Sequence, residues 1–320
     1  MPVSYSGTIP APWLARAMYQ FVPDQNDYAA FKVAKMLLSM NKEGTLSQIT
    51  RETLAGNGLT TRRAPGAVYH RSDLGMEPVA YNVLGYGEEV TVPEEDIALY
   101  GSVMNAQRAA AARLRNVLFT DLELRMKTLI FDTSTWTGAS LFTDNSSAPW
   151  DTAGSDAITH IKNAKQKVKD NTGMNANALI LDEVQFNNLV YVNTAIKGLL
   201  SGLAVPTPDA IRTVLKNLFE LPHIIVCGAR YNAAKEGQDA SMSSIWGDDY
   251  AMVARVAETT DPAEPCVART IAWRAMGPGT DMKLSIYKEP QTTSQVIKAD
   301  MYLDEIVCDA AFGHLMQIDA

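Results

Sequence analysis

Residues 91–132 read TVPEEDIALYGSVMNAQRAAAARLRNVLFTDLELRMKTLIFD, and the fold turns on how this stretch is read. Ile97, Tyr100, Val103, Met104, Gln107, Ala111, Leu114, Val117, Leu118, Leu122, Leu129 and Ile130 recur at steps of three and four. Arg108, Arg113, Arg115, Glu123 and Lys127 lie mostly off that stripe. The period predicts one helix with a packed face and a wet face. Thr91 and Glu94 stand at capping-box spacing, Pro93 falls in the first turn, and Glu94, Glu95 and Asp96 meet the positive end of the dipole. The expected helix therefore runs from Thr91 to Asp132. At 1.5 Å per residue it spans roughly 55–60 Å, longer than a compact domain of this mass is wide. Such a strut belongs to something larger.

Working outward, the N-terminal side looks extended. Pro2, Pro10, Pro12 and Pro23 interrupt residues 1–50 and block a long early helix. Within that arm DYAAFKVAKMLLSM (27–40) predicts a short helix running into a strand, and NKEG (41–44) a turn before another strand. Residues 51–92 are rich in turn formers and carry Arg51, Arg62, Arg63 and Arg71 before the strand-like YNVLGYGEEVTV. An excursion of this length without a helix is unusual in a compact domain and points to contact with another subunit. The arginine cluster reads either as a solvated face or as one half of intersubunit ion pairs.

On the C-terminal side, TSTWTGASLFTDNSSAPWDTAGSD (133–156) marks a boundary. Asp156 then opens a helix that stops at Gly173, followed by the buried strand ANALILD, a helix over EVQFNNLVYV, the stretch TAIKGLLSGLAV, a helix opening at Asp209, and the strand HIIVCGARY. This order predicts a mixed α/β layer. Residues 232–244 read as a polar loop, and strands follow in SIWGDDYAMVARV, CVARTIAWRAM, MKLSIYKEP and the last thirty residues, with a turn near Ala311–Gly313.

Composition bounds the function. The chain has 320 residues, 47% hydrophobic, with a net charge of -8. It can bury a real core, and its acidity argues against a protein whose work is gripping nucleic acid. Cys227, Cys266 and Cys308 are isolated and read as buried free thiols. No apolar run reaches the ~18 residues of a membrane span. Dinucleotide, phosphate-loop, nucleophile-elbow, zinc-protease and EF-hand signatures are all missing from the sequence, and His70, His160, His223 and His314 are scattered. No catalytic, cofactor-binding or metal-binding residues are expected. Asp182–Glu183 reads as the cap of the next helix, and the adjacent Asp248 and Asp249 as too divergent to share a metal.

Three passages carry a family resemblance. NTGMNANALILDEVQFNNLVYVNTAIKGLL (171–200) resembles the helix, Thr-Gly turn, buried strand and following helix of the major capsid proteins of tailed bacteriophages, the Hong Kong 97-like fold shared with encapsulins. LPHIIVCGARYNAAKEG with SSIWGDDYAMV is similar to that family's strand, variable loop and Trp-Gly-Asp, and RRAPGAV (62–68) to the tip of its E-loop. The resemblance implies an α+β fold with an N-arm (1–50), an extended E-loop (51–92), a peripheral (P) domain with the long spine helix and following loop (93–155), a mixed α/β axial (A) domain (156–290), and C-terminal strands returning to the P domain (291–320). It implies a structural protein without enzymatic activity, assembled in the host cytoplasm as pentamers and hexamers into the icosahedral capsid of a virion. That shell encloses viral double-stranded DNA without sequence-specific binding and without a membrane. Because the chain enters the arm directly from Met1, a separate scaffolding protein is expected, with a portal and an optional decoration protein as further partners. Arg62, Arg63 and Arg71 are expected to pair with Glu94, Glu95 or Asp96 of a neighbouring subunit. Alternatives are an encapsulin-type cargo shell, a tail component, and an α/β enzyme with an unfamiliar site near Asp248 and Asp249.

Overall fold

The computed structural model of the chain describes residues 9–10, 28–51, 53, 62–69, 71, 74–95, 103–202, 207–235, 237–239, 241–276 and 282–319. A two-residue strand β1 (Ile9–Pro10) precedes helix α1 (Ala30–Val33), which runs into β2 (Lys35–Ser39) as the sequence predicts. After a turn come β3 (Glu43–Ile49), β4 (Met76–Asn82) and the ten-residue β5 (Leu84–Pro93). Then follows the long helix α2 (Val103–Ile130).

The expected start of that helix at Thr91 is wrong. Residues 91–93 close β5, with Thr91 opposite Val296 and Pro93 opposite Ser294, and the Glu94 amide donates to Thr293 O at 3.1 Å. A β-branched run with a long partner strand outweighs a local capping signal. At 28 residues α2 is about 42 Å long. Residues 96–102, including Asp96, Ile97 and Tyr100, lie outside the described residues. At the other end the helix stops at Ile130, and Asp132 organises the exit. Its carboxylate accepts from Ser134 N, Ser134 Oγ and Thr135 Oγ1 at 2.6–3.0 Å, which holds it down at about 2.

Downstream the predicted helices and strands appear in order, with a short strand in the boundary passage and a helix over 194–200 besides, and with HIIVCGARY divided into two strands. They are β6 (Phe142–Asp144), α3 (Ala157–Thr172), β7 (Ala178–Asp182), α4 (Glu183–Asn187), a π turn over Asn188–Val192, α5 (Thr194–Leu200), α6 (Pro208–Phe219) and β8 (His223–Cys227). Asp156 caps α3 by accepting from Thr159 N, and Gly173 ends it at φ 72°, a left-handed turn glycine adopts without strain. Asp182 caps α4 through Val184 N, as the sequence predicts. Helix α6 begins one residue earlier than expected, with Thr207 as cap and Pro208 in the first turn. The 232–244 loop is the bend of a hairpin, β9 (Arg230–Asn232) with β10 (Met242–Ser244). The chain closes with β11 (Tyr250–Ala254), β12 (Ala268–Trp273), β13 (Lys283–Glu289), the fourteen-residue β14 (Ser294–Val307), a single 3-10 turn at Ala310–Phe312 and β15 (Gly313–Gln317).

Two sheets carry this chain. One has six strands and is built on β14, which pairs antiparallel with β5, β12 and β13, while β1 and β2 extend it. The other has the order β6-β15-β11-β7-β8. Its central strands are buried on both faces, which is why ALILD and AMVA read as unbroken apolar runs. Ile180 and Met252 face a core shared with Leu114, Leu118, Leu122 and Met126 of α2. Leu179, Leu181, Ala251 and Val253 face a second core made with α3, α5 and α6. At the start of β15 Gly313 is needed for space, since a Cβ there would sit 2.8 Å from Trp136 Nε1. The two remaining long strands, β3 and β4, pair with each other in a ribbon.

Candidate functional site

The ribbon is the part of the chain that its own core does not explain. β3 and β4 alternate between exposed and half-buried residues, with no fully buried position in either strand. Leu46, Val79 and Tyr81 seat its base on a small core around Val83, Cys266, Ile271 and Cys308. Away from that base, apolar side chains stand in solvent: Val68 at 82% exposure, Tyr69 at 75%, Leu74 at 62% and Met76 at 56%. A lone two-stranded hairpin is marginal in water, and clustered exposed apolar groups mark an interaction surface. Val68–Tyr69, an apolar pair within a polar loop that sequence reasoning missed, could have marked this surface.

The predicted charged residues divide between this ribbon and the body. Arg62, Arg63 and Arg71 are exposed, and the Arg63 guanidinium lies 4.1 Å from the centroid of the Tyr69 ring. Glu94 and Glu95 are exposed just past β5, and Glu94 Oε1 is 3.3 Å from Lys288 Nζ. Asp96 lies outside the described residues. Among the described residues no ion pair within the chain joins these arginines to Glu94 or Glu95. Arg51 differs from the rest of its cluster, since its Nε sits 3.1 Å from Asp309 Oδ2 of the same chain.

Glu123, expected on the wet face of the long helix, is fully buried. Its Oε1 accepts from the Ala30 amide and its Oε2 from Trp246 Nε1, both at 2.6 Å. Trp246 also packs edge-on against Phe131, with ring centroids 5.2 Å apart. One carboxylate thus joins α1, α2 and the loop before β11. Burial pushes its pKa up, and the hydrogen bonds oppose that shift. Val117, placed on the packed stripe by its spacing, is instead 40% exposed.

The other titratable groups are structural in geometry. All three cysteines are buried and free, as predicted. His314 is 1% exposed, lies between Ser140 O and Thr143 Oγ1, each 2.9 Å away, and is held down at about 4 by burial. His223 is exposed, with Nε2 3.4 Å from Glu258 Oε1. Asp248 and Asp249 are exposed and separately engaged through their backbone oxygens, Asp248 O by Gln185 Nε2 and Asp249 O by the Ile318 amide. Among the described residues, no group of His, Cys, Asp and Glu could hold a metal ion, and no helix is long and apolar enough to cross a membrane.

No family model matches the sequence, and no curated protein does. Solved structures do match in shape. A phage-related protein from Bordetella bronchiseptica superposes with a TM-score of 0.72 at 19% identity, covering 97% of this chain and 98% of that one. The capsid structure of the cyanophage P-SCSP1u gives a TM-score of 0.57 at 12% identity over 90% and 87% of the two chains. A virus-like particle from Pyrococcus furiosus gives 0.52 at 11% identity over 95% and 98%. Each match covers 90% or more of this chain, so the likeness is one of whole architecture. The chain has the fold of phage capsid proteins.

Proposed function

We propose that the chain is the major capsid protein of a tailed bacteriophage, assembling as pentamers and hexamers into an icosahedral shell around double-stranded DNA. The observation that carries this reading is the ribbon, whose exposed Val68, Tyr69, Leu74 and Met76 are covered by no core among the described residues and call for a neighbour. The fold shared with a cyanophage capsid supplies the context. In this assignment residues 1–50 are the N-arm, 51–92 the E-loop, 93–155 the spine helix and its loop, 156–290 the A domain, and 291–320 the returning strands. Arg62, Arg63 and Arg71 then lie over the neighbouring subunit and pair with Glu94, Glu95 or Asp96. Each exposed pair is worth only about 0.2–1 kcal/mol, but a shell repeats it through every copy.

A catalytic step is not part of this reading. The test is negative-stain electron microscopy of the purified chain, with and without candidate scaffolding proteins. Closed icosahedral shells or their pentamers and hexamers are expected, and enclosed DNA rather than an enzyme distinguishes a virion from an encapsulin-type compartment. Monomers under every condition would overturn the proposal.

A further inference from the structure

A second surface, separate from the ribbon, is built for a ligand of a different kind. β8 is the last strand of its sheet, paired only with β7 among the described residues. The His223 amide donates to Asn177 O at 3.0 Å, so in this parallel ladder the groups of His223, Ile225 and Cys227 turn toward β7. The N–H and C=O groups of Ile224 and Val226 point to the open edge, and among the described residues no backbone partner meets them. That edge floors a groove of about 460 Å³.

The groove is strongly cationic in a chain that is acidic overall. Lys32 and Lys35 stand on one wall, and Arg212 and Lys216 on the other, against the carboxylate of Glu258. Glu258 is already engaged by His223 and Asn177, while Lys35 Nζ reaches its backbone oxygen. Arg212 and Lys216 are exposed, one turn apart on α6, and have no ion pair among the described residues. Two like charges at that spacing weaken a helix slightly unless an anion lies between them and the facing wall. Ile224 and Val226 are half-buried and give apolar footing beside the free amides.

We infer that the β8 edge captures an extended acidic segment of a partner polypeptide by strand addition, its backbone pairing with Ile224 and Val226 and its carboxylates lying between Lys32/Lys35 and Arg212/Lys216. Each feature has its part. The open edge supplies affinity through main-chain hydrogen bonds, and the paired cations select acidic over basic side chains. This inference is independent of the shell reading, since the groove lies within one chain.

The test titrates a fluorescein-labelled heptapeptide alternating Glu and Val into the full chain, assembled and unassembled. It reads anisotropy together with amide hydrogen exchange at Ile224 and Val226. Saturable binding with slowed exchange at those two amides is expected. Arg212→Glu with Lys216→Glu should weaken it by about tenfold or more, and a Lys/Val peptide should not bind. N-methylating alternate peptide amides blocks strand pairing while keeping the charge, and should weaken binding by a similar factor without touching the protein. The inference is overturned by any of three results: no saturable binding in either form, an N-methylated peptide that binds as well as the parent, or inorganic polyphosphate that protects the same amides equally.

Discussion

Two regions of this chain treat exposed and buried chemistry in opposite ways. At Glu123 a charge is taken out of water and fully occupied, accepting from Ala30 and Trp246, so that α1, α2 and the loop before β11 meet at one point. On the ribbon of β3 and β4 apolar groups are left in water, uncovered by any of the described residues of the same chain. The first region is complete within one molecule. On the proposed reading, the second is completed by a neighbouring subunit. Changes at the junction should therefore register in the stability of the isolated chain, and changes on the ribbon in assembly alone.

The largest effect is expected at the junction. Glu123→Leu keeps the bulk but strands two buried donors, the Ala30 amide and Trp246 Nε1–H, at a cost of on the order of 3–5 kcal/mol in denaturant unfolding. Glu123→Gln retains one oxygen acceptor and should lose roughly half as much. Because burial raises this carboxyl above its unfolded value, its contribution is fully present below the unfolded pKa and is lost as pH rises through the folded one. The Gln variant should lack that loss. A Leu variant as stable as the parent would mean the junction is held by packing alone.

The same residue shows where sequence reasoning reaches and where it stops. Local punctuation was legible: Asp156 and Gly173 bound α3, Asp182 caps α4, and the short helix running into β2 follows from FKVAKMLLS. Glu123 was not, because charge at a helical position argues for water unless the donors are known, and those donors come from Ala30 and Trp246, far away in sequence. Thr91 failed for a related reason. Its capping-box spacing is local, whereas the strand that claims it, β14, lies some two hundred residues further along the chain. The ribbon was readable as an unusually long excursion, and the resemblance to phage capsid proteins matched the fold. The groove along β8 was invisible, since its cations at 32, 35, 212 and 216 converge only after folding.

A smaller effect on the same interior side concerns His314, buried between Ser140 and Thr143 where β15 meets β6. Burial lowers its pKa from 6.5 to about 4, and the nearby Lys167 reinforces the shift. The unfolded chain therefore binds this proton first as pH falls. Stability that is full above about 6.5 should decline toward pH 4, by on the order of 3 kcal/mol. His160 is also depressed by burial, so the measurement is the difference between parent and His314→Gln across that window. A flat difference would show that the imidazole meets water in the folded chain.

The smallest effect on the isolated chain, and the sharpest test of the comparison, is on the ribbon. Arg62→Glu with Arg63→Glu changes two exposed side chains and removes the stacking of Arg63 on Tyr69. Unfolding of the unassembled variant should shift by no more than about 0.5–1 kcal/mol. Shell yield and shell melting should nevertheless fall, because charge reversal turns each intersubunit attraction into repulsion at every repeat. Adding Glu94→Lys with Glu95→Lys should then restore part of the yield if these are the partners, although Glu94→Lys also sets a lysine against Lys288, which pairs with Glu94 in the parent. Loss of stability in the unassembled chain would return the ribbon to the interior side of the comparison. Unchanged shells would leave its apolar residues, Leu74 and Met76, as the groups that hold a neighbour, with the arginines serving only to keep the free ribbon soluble.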